Sequence, residues 1–313
     1  MVENILELLN KLYPITIIKV EAVTDEMFRC TSEKGTYFAR ITNYKNMDEQ
    51  MEEVKYTDFL YKEGLGVSPT ITSIQGKVVE KVTLNNNEVL TVLYQAAPGV
   101  HLPRNQWNAE IFNKLGQQIG RLHRISQKFE DVHQVKHIND WHDNEEYAFL
   151  KYIPKEERSI REVVQEALST IKKIPKNRSN YGLLHGDLWL ENILVDRDSN
   201  ITMVDFQDCE KHFYIYDIVV PIYSALEYSF VGGSNIAEYE QAITKAIIKG
   251  YLEENELPNE MLEMFPQFIK LKEIFDYSLM HMYWDKEKLT EEQVRIMNLY
   301  RMRLERNHSN FTI

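Results

Sequence analysis

One short stretch holds residues whose types and spacing could do chemistry together. It reads His185-Gly186-Asp187-Leu188-Trp189-Leu190-Glu191-Asn192, then Ile193-Leu194-Val195, and thirteen residues after Asn192 comes Asp205-Phe206-Gln207-Asp208. An aspartate and an asparagine five positions apart, with a second aspartate beyond the next β-like run, supply carboxylate and amide oxygens of the kind Mg²⁺ takes into an octahedral shell. They also leave one carboxylate to accept or orient the proton of an attacking hydroxyl. Phosphoryl transfer needs these groups held rigidly, because its catalysis is mostly positioning and charge stabilisation. An H-x-D pair also occurs in metallohydrolases, whose sites need further histidines close by; His212 is the single one within 25 residues of Asp187. A turn aspartate alone is common, so the specificity lies in the whole pattern H-G-D-x4-N-x12-D, bounded by apolar strands.

The elements that would position this stretch change character along the chain. Ile15–Val23, Met27–Ser32 and Thr36–Thr42 are β-rich runs separated by turn-like Thr24-Asp25-Glu26 and Glu33-Lys34-Gly35. Asp48 to Lys62 has near-helical recurrence of Met51, Val54, Phe59 and Leu60, and Gly64 stops it. Ile71–Ile74, Lys77–Leu84 and Val89–Tyr94 predict further strands, the last two joined across Asn85-Asn86-Asn87. After Ala96-Ala97-Pro98-Gly99 almost everything reads helical. Phe112, Leu115, Ile119 and Leu122 mark one buried face, and helices are expected over Ile160–Ile174, Tyr216–Leu226, Ala237–Glu253, Glu260–Tyr283 and Glu291–Glu305. Leu183–His185, Asn192–Asp196 and Ile201–Phe206 form a β island inside that helical part, and the candidate chemistry sits on it.

Composition excludes several classes. The 313 residues carry 36 Lys plus Arg against 48 Asp plus Glu, a formal net charge of −12. Nucleic-acid binding would rest on clustered cations facing phosphates, and is not expected. Charge of −4 up to Ala97 and −8 beyond it is nearly proportional to length, which makes solubility its default explanation. No apolar run approaches the roughly 18 residues of a membrane span. The N-terminal MVENILELLNKLYP reads as an amphipathic helix with acids at Glu3 and Glu7, not as a signal peptide. Two cysteines, Cys30 and Cys209, supply neither a disulfide framework nor a four-thiolate zinc site. A cytoplasmic, acidic, well-cored protein is expected, as a monomer or homodimer.

The pattern H-G-D-x4-N followed by D-F-x-D resembles that of the aminoglycoside phosphotransferase and choline kinase-like family, relatives of the eukaryotic protein kinases. Leu115-Gly116-x3-Gly120-Arg121-Leu122-His123 is similar to the helix that opens the family's C-terminal lobe. Tyr216-Asp217-Ile218 resembles its loop-anchoring aspartate, and Glu53 followed by Gly64-Leu65-Gly66-Val67-Ser68-Pro69 resembles its N-lobe helix and exit. The likeness covers roughly residues 15 to 300 and is strongest across 183–218. It implies an α+β, protein-kinase-like two-lobe fold. Residues 1–97 would form a small antiparallel-sheet lobe with one main helix, ending in the hinge; residues 98–313 would form a larger, mostly helical lobe with the catalytic loop and acceptor site.

The same resemblance implies Asp187 as the catalytic carboxylate, Asn192 and Asp205 as ligands of Mg²⁺, and ATP or GTP as co-substrate. Main-chain groups near Gln95 and Ala97 would bind the base, and Glu53 would face the cation of the third strand. His185 would orient the catalytic loop and Asp217 would cap it through backbone N–H groups, while His123 reads as a hydrogen-bonded packing residue and not as a ligand. Two departures stand out. Arg40 occupies the place of a phosphate-binding lysine in Tyr37-Phe38-Ala39-Arg40-Ile41, either in that role with Glu53 as partner or as a surface residue of an edge strand. Val23-Thr24-Asp25-Glu26-Met27 replaces the glycine-rich loop without a glycine, so phosphate cradling there would need main-chain N–H groups or the Thr24 hydroxyl, with Asp25 and Glu26 pointing away.

Acceptor candidates are Trp189, Asp208, Glu210 and the stretch holding Asp276, Tyr277, Trp284 and Asp285, with the acid-plus-aromatic stretch Asp140–Glu146 as another cluster. Carboxylates beside aromatic faces suit an amine-bearing small molecule: an aminoglycoside, amino alcohol, homoserine-like compound or sugar. The alternatives are a Ser/Thr protein kinase and a kinase-like regulatory or binding protein. The first is disfavoured because no Ala-Pro-Glu follows Asp205, the second because Asp187, Asn192 and Asp205 are all present.

Overall fold

In VENILELLNKL the apolar residues Ile5, Leu9 and Leu12 fall on one side of a 3.6-residue period, and the segment forms helix α1 (Val2–Leu12) with those three buried. The computed structural model describes residues 2–227 and 236–306. Strands β1 (Ile17–Ala22), β2 (Met27–Ser32) and β3 (Gly35–Thr42) follow, then helix α2 (Met47–Lys62) and strands β4 (Thr70–Ile71), β5 (Glu80–Leu84) and β6 (Asn87–Gln95). Beyond them the chain forms α3 (Ala109–Val132), α4 (Phe149–Tyr152), α5 (Arg158–Lys172), β7 (Tyr181–Leu184), β8 (Ile193–Val195), β9 (Ile201–Met203) and β10 (Glu210–Phe213). Helices α6 (Ile215–Glu227), α7 (Ile236–Glu254), α8 (Asn259–Glu263), α9 (Phe265–Tyr283) and α10 (Glu291–Glu305) complete it. An antiparallel sheet with one main helix, followed by a mostly helical part, is the α+β kinase-like arrangement expected.

The sheet runs β1-β2-β3-β6-β4 with β5 also on β6, every pairing antiparallel. Successive side chains of a strand face opposite sides, and β3 uses both. Tyr37, Ala39 and Ile41 enter a core with Ile5 and Leu9 of α1 and with Phe28, Cys30 and Leu93. Phe38 pairs with Tyr94 and Arg40 with Val92, so these four share the other face, where Leu90 and Val92 pack on Val54 of α2. β3 is therefore an interior strand, and Arg40 is buried at 3% exposure. The edge-strand reading of Arg40 is corrected by this strand order. Helix α2 is started by a capping box, in which Asn46 accepts the Asp48 and Glu49 N–H groups while the Glu49 side chain accepts that of Asn46. That start sets the phase that turns Gln50, Glu53, Val54 and Thr57 inward.

The chain divides into two compact units. The first holds the residues up to Leu102 together with Lys128–Ile138 and Glu191–Cys209, and the second holds Pro103–Gln127, Asn139–Leu190 and the residues from Glu210 onward. The β8–β9 hairpin thus belongs with the sheet, whereas a division near Ala97 would leave it with the helices. Backbone bridges are the reason: Val100 pairs with Val195 and Val67 with Met203. The strands approach so closely that a Cβ on Gly66 would lie 2.2 Å from the Ile201 carbonyl oxygen.

In the second unit Phe112, Leu115, Ile119 and Leu122 of α3 are wholly buried, as their spacing predicts. Helices α3 and α7 meet backbone to backbone, because a Cβ on Gly116 would lie 2.0 Å from the Ile247 carbonyl oxygen and one on Gly250 1.9 Å from that of Asn113. Helix propensity alone would make Gly250→Ala stabilising by about 1 kcal/mol. The backbone it would strike cannot move aside as a side chain could, so we expect Gly250→Ala to lose about 3 kcal/mol, the upper end of overpacking costs, in urea unfolding. A gain in stability would show that the crossing opens without penalty.

Candidate active site

A cleft of about 890 Å³ lies within the first unit. Phe38, Arg40 and Tyr94 reach its wall from the sheet, Glu53 from α2, Asn192 from the start of β8 and Asp205 from the end of β9. The alternation of β3 brings Phe38 and Arg40 to the same side, and the pairing of Phe38 with Tyr94 adds the third ring. Sequence reasoning named Arg40, Glu53, Asn192 and Asp205, and all four are on this wall.

Arg40 is held by two carboxylates. Its Nη1 donates to Glu53 Oε1 at 2.8 Å, and its Nη2 to Asp205 Oδ1. A second cation that sequence reasoning missed, Lys45, donates to Glu53 Oε2 at 2.6 Å. Burial opposes the charge on each of these groups, and their neighbours overcome it. Glu53 is held below the usual carboxylate range against its burial by Arg40 and Lys45. Arg40 is held above its ordinary value, despite burial, by Tyr94, Glu53 and Asp205. The Arg40 guanidinium also lies 5.9 Å from the centroid of the Tyr94 ring.

The donors on the wall fit Mg²⁺. Asp205 and Asn192 offer hard oxygen atoms, and the Asp205 side chain is 42% exposed on the cleft side of its ion pair. Among the described residues no group of three His, Cys, Asp or Glu is placed to hold a metal by itself. A cation held by Asn192 and Asp205 would therefore complete its shell from phosphate and water, which is how Mg²⁺ is commonly held at nucleotide sites.

The turn between β1 and β2 is closed by its own side chain. Thr24 Oγ1 accepts the N–H groups of Glu26 at 3.3 Å and Met27 at 3.0 Å, so those two donors already have partners. Asp25 and Glu26 both line the cleft, and Glu26 Oε1 accepts the Thr42 hydroxyl at 2.9 Å. At the hinge Ala96 and Ala97 reach the wall, while the Gln95 N–H donates to the Pro69 carbonyl at 2.9 Å.

In the second unit the loop that carries Asp187 hangs on Asp217. Asp217 Oδ2 accepts the His185 N–H at 2.9 Å and Oδ1 the Gly186 N–H at 3.0 Å. Gly186 sits at φ 87°, a left-handed conformation suited to glycine, and the Asp187 N–H is 3.3 Å from His185 Nδ1. His123 Nε2 lies 3.1 Å from Asp217 Oδ2, its Nδ1 lies 3.0 Å from the Tyr251 hydroxyl, and its ring stacks on Tyr214. Asp217, His123 and His185 are fully buried. His123 is a buried, hydrogen-bonded residue that forms a third partner of the loop anchor.

The acceptor candidates meet different partners. Trp189 is half-buried, and Lys272 Nζ lies 4.6 Å from its ring centroid while donating to Asp276 at 2.6 Å. Burial pushes the Asp276 carboxyl up to about 6 against Lys272, and Asp187 contributes to the rise. Glu210 is buried and accepts the Tyr147 hydroxyl at 2.8 Å. Tyr277 is buried and donates to Glu157 at 2.7 Å. Trp284 is half-buried and Asp285 exposed, whereas Asp208 belongs to the first unit. In the Asp140–Glu146 stretch Trp141 is core, stacked on His212, which stacks in turn on Tyr216. Burial holds the His212 imidazole neutral, well below the ordinary range.

An antiparallel sheet with α2, an Arg40–Glu53 pair beside a candidate metal-ligand aspartate, and a loop aspartate anchored on a buried carboxylate define a small-molecule kinase of protein-kinase-like fold. The chain belongs to the APH phosphotransferase enzyme family, whose model matches residues 16–244. It is similar to the amicoumacin kinase of Bacillus subtilis (strain 168), 27% identical over 282 residues that cover 89% of this chain and 84% of that protein. A solved amicoumacin kinase, in complex with AMP-PNP, Ca²⁺ and Ami, superposes with a TM-score of 0.89 at 26% identity, covering 99% of this chain and 95% of that one. A microcompartment-associated aminopropanol kinase shares the fold, with a TM-score of 0.77 at 18% identity over 97% of this chain and 95% of that one. No described helix is long and apolar enough to cross a membrane.

Removing the Asp217 carboxylate would strip the buried His185 N–H, the half-buried Gly186 N–H and His123 of their partner. We expect Asp217→Ala to lose on the order of 3 kcal/mol in urea unfolding, since each buried donor left unsatisfied costs about 1–3 kcal/mol. A variant as stable as the wild type would show that the 185–187 loop is held by other contacts.

Proposed function

We propose that this kinase transfers the γ-phosphoryl group of ATP to a hydroxyl of an amine-bearing small molecule, and that amicoumacin, for which its Bacillus relative is named, is the first acceptor to test. The observation that carries this reading is Arg40 fixed by Glu53 on the cleft wall beside Asp205, a cation and a carboxylate prepared for a metal-bound triphosphate. The short path after Asp205 also supports a small acceptor. The chain runs through the Phe206–Asp208 turn and β10 directly into α6 at Ile215, which leaves no extended segment as a platform for a peptide.

In this reading Asp187 accepts the proton of the acceptor hydroxyl as its oxygen bonds to the γ-phosphorus, and the bond from that phosphorus to the bridging oxygen of ADP breaks. Mg²⁺ would neutralise charge on the phosphates, held by Asn192 and Asp205. Arg40 contacts phosphate with a guanidinium that Glu53 keeps aimed. Ala97 and the main chain near Gln95 contact the adenine, and Thr24 shapes the turn above. Residues 1–97 and 98–313 serve as the nucleotide-binding and acceptor-binding parts, the first joined by the β8–β9 hairpin. Amine recognition falls to carboxylates of the second unit.

Asp187→Asn should lower kcat by about a thousandfold, within the range for loss of a general base, and leave the KM for ATP within about threefold. Asp205→Ala should abolish Mg²⁺-dependent nucleotide binding in a thermal-shift titration. A coupled ADP-release assay over amicoumacin, homoserine, aminopropanol, choline and aminoglycosides then reads the acceptor. Turnover with none of them, beside firm ATP binding, would favour a kinase-like binding protein instead.

A further inference from the structure

Glu53 meets a different cation on each carboxylate oxygen, and both cations continue to the same short segment. Arg40 joins Glu53 Oε1 to the Asp205 side chain, while Lys45 joins Glu53 Oε2 to the Gln207 carbonyl at 2.5 Å. Asp205, the first of these anchors, sits at φ 62° and ψ 67°, in the left-handed region that costs a residue with a Cβ and persists where surroundings over-determine it. Arg40, Glu53, Asp205 and Gln207 line the cleft, but Lys45 does not. Its side chain is 17% exposed, behind the wall. Lys45 therefore acts on the site through other groups.

We propose that Lys45 is a positioning residue for the Asp205 turn. By tying the Gln207 carbonyl to Glu53, it holds Asp205 in the left-handed conformation that directs its carboxylate into the cleft. It also gives Glu53 a second cation that does not depend on Arg40, so Arg40 can leave Asp205 for a phosphate while Glu53 stays ionised and α2 stays fastened to the turn. This division accounts for an arginine at position 40. The guanidinium fork spans two carboxylates, and the single-point ammonium clamp comes from five residues further along the chain. The proposal rests on the assignment of Asp205 as a metal ligand.

The test is Mn²⁺ binding, read by electron paramagnetic resonance in the presence of AMP-PNP, for the wild type, Lys45→Met, Lys45→Gln and Lys45→Arg. Lys45→Met keeps the apolar stem and removes the charge. It should weaken Mn²⁺ binding by about tenfold, as loss of a residue that orients a metal ligand commonly does, and its melting temperature should stay within a few degrees of the wild type. Lys45→Arg should bind Mn²⁺ within about threefold of the wild type, since it restores a donor and a charge. In turnover the Mg²⁺ half-saturation of Lys45→Met should rise in the same proportion, with kcat at saturating Mg²⁺ changed by less than about threefold. Unchanged metal affinity in Lys45→Met overturns the proposal. So does a collapse of kcat at unchanged metal affinity, which would place Lys45 on the reacting groups. Should Lys45→Met fail to fold, Lys45→Gln must show the weakened binding, and wild-type affinity in that variant overturns the proposal equally. A wild-type chain that binds no Mn²⁺ would overturn the metal assignment together with the proposal, whereas wild-type binding matched by Lys45→Met overturns the proposal alone.

Discussion

A carboxylate withdrawn from water stays ionised only where cations meet it, and Glu53 at 2% exposure is such a group. Arg40 and Lys45 answer it, and each then ties α2 to a different part of the structure: Arg40 to the interior of the sheet, Lys45 to the turn after Asp205. The strand, the helix and the end of the β8–β9 hairpin come from separate stretches of chain, and this one charge network fastens all three. Removing both cations would leave a buried charge uncompensated, which is far costlier than losing a surface ion pair. The position of Asp205 is in this sense a consequence of the charge state of Glu53.

The second unit also fastens its loop on a buried carboxylate. Asp217 is fully buried, and its oxygens are met by two backbone N–H groups and by His123, itself braced by Tyr251 and Tyr214. These bonds fix the path of the chain at Gly186, so that Asp187 emerges from a rigid base. Each unit thus carries one candidate functional acid on a turn with a left-handed residue, Gly186 before Asp187 and Asp205 itself. Each holds that turn from behind with a buried carboxylate.

Much of this was legible from residue types and spacing. Alternation found the strands of the sheet because one face of β3 packs on α1 and the other on α2, and the 3-4-3 spacing of Phe112, Leu115, Ile119 and Leu122 found α3 because that face is wholly buried. The pattern around Asp187, Asn192 and Asp205 was legible because local turns set its geometry. What escaped depends on contacts between distant residues. Lys45 sits in an ordinary polar loop, and nothing near it in sequence tells of Glu53 or Gln207. The β8–β9 hairpin looks like part of the helical region until Val100 and Val67 are seen to bridge it. Trp189 looked available to a ligand because it sits two positions after Asp187, yet Lys272, over eighty residues away, already lies on its ring. Periodicity reads what an element does to its own face, and it is silent about which side chain arrives from elsewhere.

The turn between β1 and β2 bears on the thermodynamics of the cleft. A glycine-rich loop has more backbone freedom than other loops to lose when a guest orders it. Here the Thr24 hydroxyl occupies the amides of Glu26 and Met27 in advance, with no φ in need of glycine. Such a rim has little entropy left to lose and few donors left to offer. It contributes shape more than adhesion, and the grip on whatever enters must come from the floor.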